Sequence, residues 1–386
     1  MTRKLFYENI HITDFTARVL SCEETAAPSG DVLWRVLLNT TAFFPEEGGQ
    51  SPDIGTLGGQ PVLDVQIERE NIYHTVKEPI APGETVDGHV EWQQRFDFMQ
   101  QHSGEHILSG LVHTRFGLNN VGFHLSTREV TMDFDGVLTK DELNEIEVAA
   151  NQAVCQNLPV EITYPDSEEL ASLSYRSKIE IEGTVRIVTI PGIDVCACCA
   201  PHVDTTGQIG LIKIVSVQNY KGGIRLNILC GLRALLDYRT KLNSITTLAQ
   251  SMSVKQEQVI NVFEKLKDEN RMLKETAADL QAKYLSQSLA ALPSPSMSSH
   301  AVLFTDISDN IAIRNAVNDL TGRYDGYCAI FFGEEENYRF ILASRQLDCN
   351  EAAKKFRTLL NAKCGGNTLM IQGSVSSSRE KILALF

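Results

Sequence analysis

The strongest chemical signal in the sequence is a set of histidines and cysteines at spacings that suit a metal ion. His102 and His106 stand four residues apart in a segment with helical periodicity, so their side chains project from one face of a helix, one turn apart. Far downstream, residues 196–202 read Cys-Ala-Cys-Cys-Ala-Pro-His. Thiolate and imidazole are the preferred ligands of zinc, and four of them complete a tetrahedral shell. The two segments together predict a zinc site.

The residues alone do not decide which cysteine binds the metal. Cys196, Cys198 and Cys199 all lie close to His202 in the sequence. A shell of four protein ligands is typical of structural zinc, whereas a catalytic zinc keeps a position open for water or substrate. One weak ligand or a fifth coordination position would allow four protein ligands in a catalytic site. The identity of the cysteine ligand and the role of the metal therefore stay open at this point.

Composition places these residues in a globular protein with more than one domain. The chain has 386 residues, of which 43% are hydrophobic and 22% charged, and this length favours two or three domains. Its apolar runs are too short to span a bilayer, and the N-terminus lacks the apolar segment of a signal peptide. We therefore expect a cytoplasmic protein without membrane contact, in which the nine cysteines are free thiols or metal ligands.

The charge is unevenly distributed along the chain. A net charge of −14 disfavours nucleic-acid binding by the surface as a whole, because phosphate contacts need Lys and Arg. Residues 339–386, however, carry more basic than acidic side chains. The basic ones are Arg339, Arg345, Lys354, Lys355, Arg357, Lys363, Arg379 and Lys381, and the acidic ones are Asp348, Glu351 and Glu380. The sequence therefore leaves RNA binding open for this segment.

The elements that must position the metal ligands indicate an α+β protein. Residues 1–90 alternate short β-branched runs with turn-rich stretches and predict a small β-barrel. Residues 91–230 predict an α+β domain that contains the zinc site. Its predicted elements are a helix over 91–116, a helix over 140–157 with Thr139 as N-cap and Glu142 completing a capping box, and strands over 160–163, 184–190 and 209–217.

Residues 231–292 are predicted to be helical, with one helix over 230–250 and a second that begins at a capping box formed by Ser253 and Gln256. In the second helix, Asn270 and seven other residues recur at alternating steps of four and three, which is a heptad seam. The seven are Val259, Phe263, Leu266, Leu273, Ala277, Leu280 and Tyr284. The seam favours a coiled coil between two copies of the chain, and the alternative is a helix that packs on its own domain.

A Pro/Ser-rich linker over 293–299 marks the clearest boundary in the chain. After it, residues 300–386 alternate strand and helix patterns and predict a small α/β domain. Its predicted strands lie at 301–304, 327–332 and 340–343.

The ligand spacing also resembles that of a known family. His102-Ser-Gly-Glu-His106 and Cys198-Cys-Ala-Pro-His202 resemble the HxxxH and CxxxH pair of the alanyl-tRNA synthetase editing domain, and more closely that of the free-standing AlaX-type editing proteins. The resemblance spans nearly the whole chain. Its other segments lie at 48–50, 122–124, 175–178, 203–210, 222–225 and 364–373. The last of these resembles the glycine-rich end of the DHH-associated C-terminal domain, which indicates the large AlaX class.

This resemblance implies one zinc ion per chain, and it selects Cys198 because only that cysteine stands four residues before His202. It also implies a trans-editing hydrolase, which removes serine, and glycine as a second substrate, wrongly esterified to tRNA(Ala). No segment resembles the aminoacylation domain of the synthetase, so we expect editing without charging. Where the synthetase has Cys-Gly-Gly-Thr-His, this chain has Cys-Cys-Ala-Pro-His, so the wall beside the ligand differs.

Several residues in the matching segments are candidates for substrate contacts. We expect Gln50 to offer its amide to the terminal ribose, while Gly48 and Gly49 allow the backbone to approach closely. The alternative for Gln50 is a solvated residue in a barrel turn. His124 is expected to line the pocket, with a structural histidine as the alternative.

Two basic residues and one acidic residue are weaker candidates. Arg176 and Lys178 are expected to contact RNA phosphate, unless they belong to a charged strand edge. Glu105 is a candidate base, as in the His-Glu-x-x-His motif of metalloproteases. It precedes the second histidine, however, and on an ideal helix it would point about 100° away from it, so we favour a solvated or second-shell position.

Two other functions compete with editing. The paired histidines on a helix suggest a metallopeptidase, although the position of Glu105 counts against it. The second alternative is a tRNA-binding protein in which zinc only stabilises the fold.

Overall fold

The computed structural model describes residues 1–26, 30–177 and 185–386. Helices and sheets are mixed along the chain, which confirms the predicted α+β class. The chain divides into two compact units, Met1–Thr246 and Thr247–Phe386. None of the helices in the described ranges combines the length and apolar character needed to cross a membrane.

The N-terminal part of the first unit is a nearly closed, barrel-like sheet. Its elements are β1 (Arg3–Lys4), α1 (Leu5–Glu8), β2 (Asp14–Ala26), β3 (Val32–Leu38), β4 (Thr40–Thr41), β5 (Gly55–Leu57), β6 (Gln60–Val62), β7 (Asp64–Glu68), β8 (Asn71–Val76) and β9 (Thr85–Val90). Seven of these strands pair antiparallel in the order β6-β5-β9-β2-β3-β8-β7. Alternate strand residues fill the interior around Phe43 and Phe44, as the period of two along a strand requires.

The rest of the first unit surrounds one long helix, α2 (Trp92–Phe116), which is buried along most of its length. The other elements are β10 (Asn120–Leu125), β11 (Val130–Phe134), α3 (Lys140–Gln156), β12 (Glu161–Thr163), α4 (Ser167–Ser172), β13 (Ile187–Ile190), β14 (Asp194–Ala197), a 3₁₀ helix (Thr206–Ile209), β15 (Ile212–Tyr220) and β16 (Gly223–Cys230). Strands β10, β11, β16 and β15 form one sheet, and β12, β13 and β14 form a second. The predicted capping box of α3 is present, because Thr139 and Glu142 exchange backbone and side-chain hydrogen bonds.

Two long helices follow, α5 (Gly231–Ser251) and α6 (Val259–Ala290). The predicted start of the second helix is wrong: Ser253 has φ +54° and lies in the intervening turn, whereas an N-cap residue needs extended backbone. A 3₁₀ turn over Gln256–Gln258 leads into α6 instead. Most of α6 is exposed, including Phe263 and Leu273 of the heptad seam, so the coiled coil stays a prediction.

The C-terminal part of the second unit is a five-stranded sheet with helices on its faces. Its elements are β17 (Ala301–Thr305), α7 (Asn310–Leu320), β18 (Cys328–Glu334), β19 (Asn337–Ala343), α8 (Cys349–Leu360), β20 (Lys363–Gly366), β21 (Met370–Val375) and α9 (Arg379–Leu383). The strand order is β17-β18-β19-β21-β20. Buried residues of α8 and of α7 belong to two separate apolar clusters of this sheet, so apolar residues on both faces are covered.

Candidate metal centre

Helix α2 carries the two histidines of the predicted HxxxH pair. His102 and His106 are each 2% exposed, and their ring centroids lie 5.5 Å apart. Small residues let neighbouring segments approach the helix closely: a Cβ on Gly110 would lie 2.3 Å from the carbonyl oxygen of Ile193. This close packing brings Asp194 alongside α2, where its Oδ2 accepts a hydrogen bond from Nδ1 of His106 at 2.9 Å.

The turn after β14 carries the other two predicted ligands, Cys198 and His202. The backbone N–H of Cys198 donates to the carbonyl oxygen of Arg186 at 3.1 Å. Nη1 of the buried Arg186 guanidinium donates in return to the carbonyl oxygens of Cys198 at 2.7 Å and of Ala200 at 3.0 Å. A charged donor thus holds two backbone carbonyls of the short turn that carries Cys198 and leads to His202.

The four predicted ligands converge on one point. Nε2 of His102 lies 3.5 Å and Nε2 of His202 lies 3.4 Å from Sγ of Cys198. The ring of His106 lies 4.6 Å from that of His202, and one ligand atom from each of the four residues falls within 4.8 Å of all the others. Bond lengths of 2.0–2.3 Å in a tetrahedral zinc site place neighbouring ligand atoms roughly 3.5 Å apart. The spacing of the donors therefore fits a zinc ion.

Each of the three histidines uses its Nδ1 atom for a protein partner. Besides the bond from His106 described above, Nδ1 of His102 donates to Oε1 of Gln50 at 2.9 Å. Nδ1 of His202 donates to Oγ of Ser103 at 3.0 Å, and that oxygen also accepts from the backbone N–H of Val203 at 3.2 Å. Partners of this kind fix the tautomer and the ring orientation of metal-binding histidines. All three rings can therefore offer Nε2 to a shared metal.

The charge states of the cluster agree with metal binding. Burial would raise the pKa of the Cys198 thiol, but His102 and His202 beside it outweigh burial and hold that pKa well below its usual range. Burial lowers the pKa of His202 to about 3. Burial would lower the pKa of His106, but the hydrogen bond to Asp194 raises it by more. The pKa of His106 therefore lies above its usual range. A lowered thiol pKa and a lowered histidine pKa both favour the deprotonated forms that bind a metal.

The other two cysteines of the segment take different positions. Burial raises the pKa of Cys196 to about 11, and its sulfur groups with His106 and Asp194 rather than with all three histidines. Burial also raises the pKa of Cys199, whose sulfur would lie 3.2 Å from a Cβ on Gly48. Of the three candidates that the sequence leaves open, the structure groups Cys198 with the three histidines.

Gln50 lies at the metal centre and is fully buried, which excludes the alternative of a solvated turn residue. Its Oε1 holds His102, while its Nε2 has no hydrogen-bond partner among the described residues. Gly49, at φ +81°, packs so closely on β10 that a Cβ would lie 2.3 Å from the carbonyl oxygen of Phe123. Gly49 therefore lets the backbone approach β10, which brings Gln50 to the metal centre.

Glu105 is 1% exposed, so the expectation of a solvated position is wrong and the second-shell alternative fits. Its Oε1 accepts from Oγ of Ser109 at 2.6 Å and from Nδ2 of Asn120. Its Oε2 lies 3.8 Å from Nε2 of His106. Because α2 is buried along most of its length, a side chain that points away from His106 at the backbone still ends in a buried environment.

His124 does not occupy the position predicted for it. The residue is exposed, and its neighbour Phe123 faces the centre instead, with its ring centroid 4.8 Å from that of His102. Successive residues of a strand point to opposite faces, so a histidine next to Phe123 in β10 must face away. The prediction that His124 lines the pocket is therefore corrected to Phe123.

Arg176 is tied to the metal centre rather than offered to a phosphate. Its Nε and Nη2 each donate to the Asp194 carboxylate at 2.7 Å, and its side chain is only 13% exposed. The pair fixes the carboxylate that in turn holds His106. Lys178 lies outside the described residues.

Three residues of this centre escape the sequence analysis. Ser103 stands within the HxxxH segment, and Phe123 stands beside His124, so a closer reading of those two motifs would have found them. Asp194 is separated from His106 by 88 residues and carries no local pattern that links the two.

Comparison with known proteins places this centre in a recognised context. Residues 185–227, which include Cys198 and His202, match the family described as threonyl and alanyl tRNA synthetase second additional domain. The alanyl-tRNA editing protein Aarsd1 of Danio rerio is 27% identical over 353 residues, which cover 89% of this chain and 85% of that protein. The protein of the same name from Mus musculus is 30% identical over 280 residues, which cover 69% of this chain and 68% of the mouse protein.

A longer protein is similar as well. The alanine–tRNA ligase of Ignicoccus hospitalis is 27% identical over 303 residues, which cover 75% of this chain but only 33% of the ligase.

Proposed function

The chain belongs to the family of free-standing, AlaX-type alanyl-tRNA editing proteins, and from that premise we propose that it is a zinc-dependent aminoacyl-tRNA hydrolase acting on mischarged tRNA(Ala). Serine is the proposed principal amino acid released, and glycine the second. The observation that carries the proposal is the convergence of His102, His106, Cys198 and His202, with every histidine fixed through its Nδ1 atom.

The reaction explains why such a site is needed. A small apolar pocket discriminates poorly against an analogue that merely adds a hydroxyl, so an alanine-selecting enzyme leaks serine and a second, hydrolytic site corrects the error. The aminoacyl ester is already an activated acyl group. Its cleavage needs a positioned water, donors for the developing oxyanion, and a means of holding the amino acid.

The protein's own groups supply most of these needs. A zinc ion held by the four residues would provide a Lewis acid that positions the substrate and water. The Nε2 group of Gln50, buried and unpaired among the described residues, is the proposed hydrogen-bond donor to the ester or the terminal ribose. Asp194, held by Arg176, keeps His106 in the tautomer that offers Nε2. Glu105 adds a buried carboxylate beside His106 and is proposed to balance charge there.

Deacylation of defined substrates tests the proposal. Zinc-loaded protein is incubated with tRNA(Ala) carrying serine, glycine or alanine, and ester loss is followed against buffer alone. We expect the seryl and glycyl esters to be cleaved and the alanyl ester to be spared. An intact seryl ester would overturn the proposal, as would equal cleavage of all three.

A structural metal is the second candidate, favoured by the complete set of four protein donors, which is typical of structural zinc. Substitution of His102 by alanine separates the two cases. Loss of deacylation in a variant that keeps the wild-type melting temperature indicates a metal that serves the reaction. Loss of folding indicates a metal that serves the structure.

The second unit suggests how tRNA is held. We propose that the basic residues of 339–386 contact tRNA phosphates, because several of them, such as Lys354, Lys363 and Arg345, are exposed. Removal of the chain beyond the linker at Pro293 should then weaken tRNA binding and flatten its salt dependence. If affinity and its salt dependence stay unchanged, tRNA binds elsewhere.

The exposed heptad seam of α6 suggests that the chain binds a second copy of itself. Phe263, Leu266, Leu273 and Leu280 are each about half exposed or more, so a 32-residue helix leaves an apolar stripe uncovered. We propose a homodimer through this coiled coil, with the C-terminal domain as the other candidate interface. Replacement of Leu266 and Leu273 by glutamate should yield monomers in sedimentation, and an unchanged mass would exclude the seam.

We keep the predicted division into a barrel (1–90), a zinc-containing editing domain (91–230), a helical segment (231–292) and a C-terminal domain (300–386) as part of the proposal, with the cytoplasm as its location.

A further inference from the structure

The residues around the metal centre differ in exposure. His106 lies between Glu105 and Asp194, both of which are buried. His202 is enclosed in the same way by buried Ser103 and Val203. These two sides of the centre are closed by protein.

The residues next to His102 are less buried. Gly48 and Gly49 are exposed there, and Phe123 and Cys198 are partly exposed. The contact between Phe123 and His102 is edge-on, with an interplanar angle of 61° and 4.8 Å between centroids. We call these four residues, Gly48, Gly49, Phe123 and Cys198, the mouth of the site.

The ring of Phe123 lies at the mouth on a strand whose backbone is held in place. Phe123 pairs with Met132 in the sheet of β10 and β11. Its carbonyl oxygen packs against Gly49 so tightly that a Cβ on the glycine would lie 2.3 Å away. Two residues on, Leu125 donates its N–H to the carbonyl oxygen of Gly49 at 2.7 Å. The backbone that carries the ring is therefore tied to segments on both sides and cannot move aside without breaking these contacts.

The Gln50 amide and the Phe123 ring both lie at His102. Gln50 binds the same histidine that Phe123 contacts, and its Nε2 is a buried donor without a hydrogen-bond partner among the described residues. If the ester carbonyl binds between this donor and the metal ligands, the side chain on the neighbouring α carbon lies toward the ring.

We propose that Phe123 is a specificity-determining residue that admits the side chains of glycine and serine and excludes larger acyl groups from the site. The proposal deepens the proposed function and rests on it. The ring sets an upper limit on the size of the acyl side chain, and it does not separate serine from alanine, which differ by one hydroxyl.

The test changes the size of the wall in both directions. Phe123→Ala and Phe123→Leu enlarge the mouth, and Phe123→Trp reduces it. His124→Ala is the matched control, because it lies on the same strand and is exposed. Each protein is assayed with one tRNA acylated by glycine, serine, valine or leucine, and kcat/KM is measured for each ester. Zinc content and melting temperature are recorded alongside.

We expect Phe123→Ala to raise the rate for the valyl and leucyl esters relative to the seryl ester by about tenfold or more, since one methylene in a fitted pocket discriminates by roughly 10–200-fold. Phe123→Leu should give a smaller change in the same direction. Phe123→Trp should slow the seryl ester more than the glycyl ester, and His124→Ala should leave the ratios unchanged.

Three results would overturn the proposal. Unchanged ratios in all Phe123 variants would show that the ring does not meet the side chain. An equal loss for every ester would show that the ring stacks on the terminal adenine or only supports His102. A shift in ratios for His124→Ala would show that the wall is elsewhere. Cleavage of the seryl ester by the unmodified protein tests the proposed function separately, so failure of one idea is distinguishable from failure of the other.

Discussion

The first unit buries histidines in two places, and the two differ in how the ring nitrogens are used. In the barrel, His74 is fully buried beside Phe43. Its Nε2 accepts from Oγ1 of Thr41 at 2.8 Å, and its Nδ1 donates to the carbonyl oxygen of Val36 at 3.3 Å. Both nitrogens are satisfied within the protein, and burial lowers the pKa of the ring to about 4. His74 is a neutral core residue.

At the metal centre, three histidines that are almost as buried each give Nδ1 to a partner outside the four-residue cluster. Their Nε2 atoms all turn toward one shared position at the Cys198 sulfur. Burial is therefore the same in both regions and cannot identify a ligand. The distinguishing feature is one nitrogen fixed by a protein partner while the other points to a shared position. Four predictions, from the largest effect to the smallest, test this distinction.

Replacement of the thiolate should abolish metal binding and activity. In Cys198→Ala, three histidines remain without the one negatively charged ligand, so we expect zinc to fall from one ion per chain to nearly none and deacylation to fall on the order of 10³-fold or more. Elemental analysis and ester hydrolysis measure both. Cys196→Ala is the control, since its sulfur lies outside the group of four, and it should keep its zinc. The reverse pattern would assign the ligand to Cys196.

Acid should destabilise the barrel through His74. In the unfolded chain an ordinary histidine takes up a proton near pH 6.5, whereas the folded ring resists it until about pH 4. The unfolded state therefore binds more protons in this window, and stability is fully present above pH 6.5 and falls as the pH drops toward 4. The shift corresponds to about 3 kcal/mol in the free energy of unfolding.

His74→Gln should remove this part of the pH dependence while leaving zinc content unchanged. Urea denaturation of both proteins between pH 7 and pH 4 measures it. Parallel curves for the two proteins would contradict the assignment of His74 as the acid-sensitive group.

Loss of the negative charge on Asp194, which accepts a hydrogen bond from His106, should weaken zinc binding without abolishing it. In Asp194→Asn the side chain can still accept from Nδ1 of His106, but the carboxylate paired with Arg176 is gone. We expect zinc affinity to fall by roughly 10–100-fold, measured by competition with a chromophoric chelator. An unchanged affinity would show that the carboxylate serves only the packing of β14 against α2.

Removal of the Ser103 hydroxyl should have the smallest effect. Ser103→Ala leaves Nδ1 of His202 and the backbone N–H of Val203 without their shared acceptor, a loss of about 1 kcal/mol or slightly more. We expect zinc affinity to fall by several-fold in the same competition assay. A loss as large as that of Asp194→Asn would show that hydroxyl and carboxylate partners contribute equally.

The sequence predicts the metal ligands better than it predicts the residues that hydrogen-bond to those ligands. A spacing of four on a helix and a dense Cys/His segment are local patterns, so they can be read without coordinates. Asp194 and Gln50 reach their histidines across 88 and 52 residues, and only the folded chain brings them together.

The errors have equally physical causes. Residue type favours His124 as a pocket residue, but the alternation of the strand places Phe123 on the side of the metal ligands. A helix with one exposed face would place Glu105 in solvent, whereas α2 is buried along most of its length. Ser253 has the residue type of an N-cap but a left-handed backbone, which the sequence does not reveal.

The account depends most on the metal, so a single titration tests it most directly. Protein stripped by a chelator receives zinc in steps, and deacylation of seryl-tRNA(Ala) is measured at each step. We predict activity that is absent in the stripped protein and rises linearly to a break at one zinc per chain. Full activity in the stripped protein, or no activity after one equivalent is bound, would contradict a reaction at the site formed by His102, His106, Cys198 and His202.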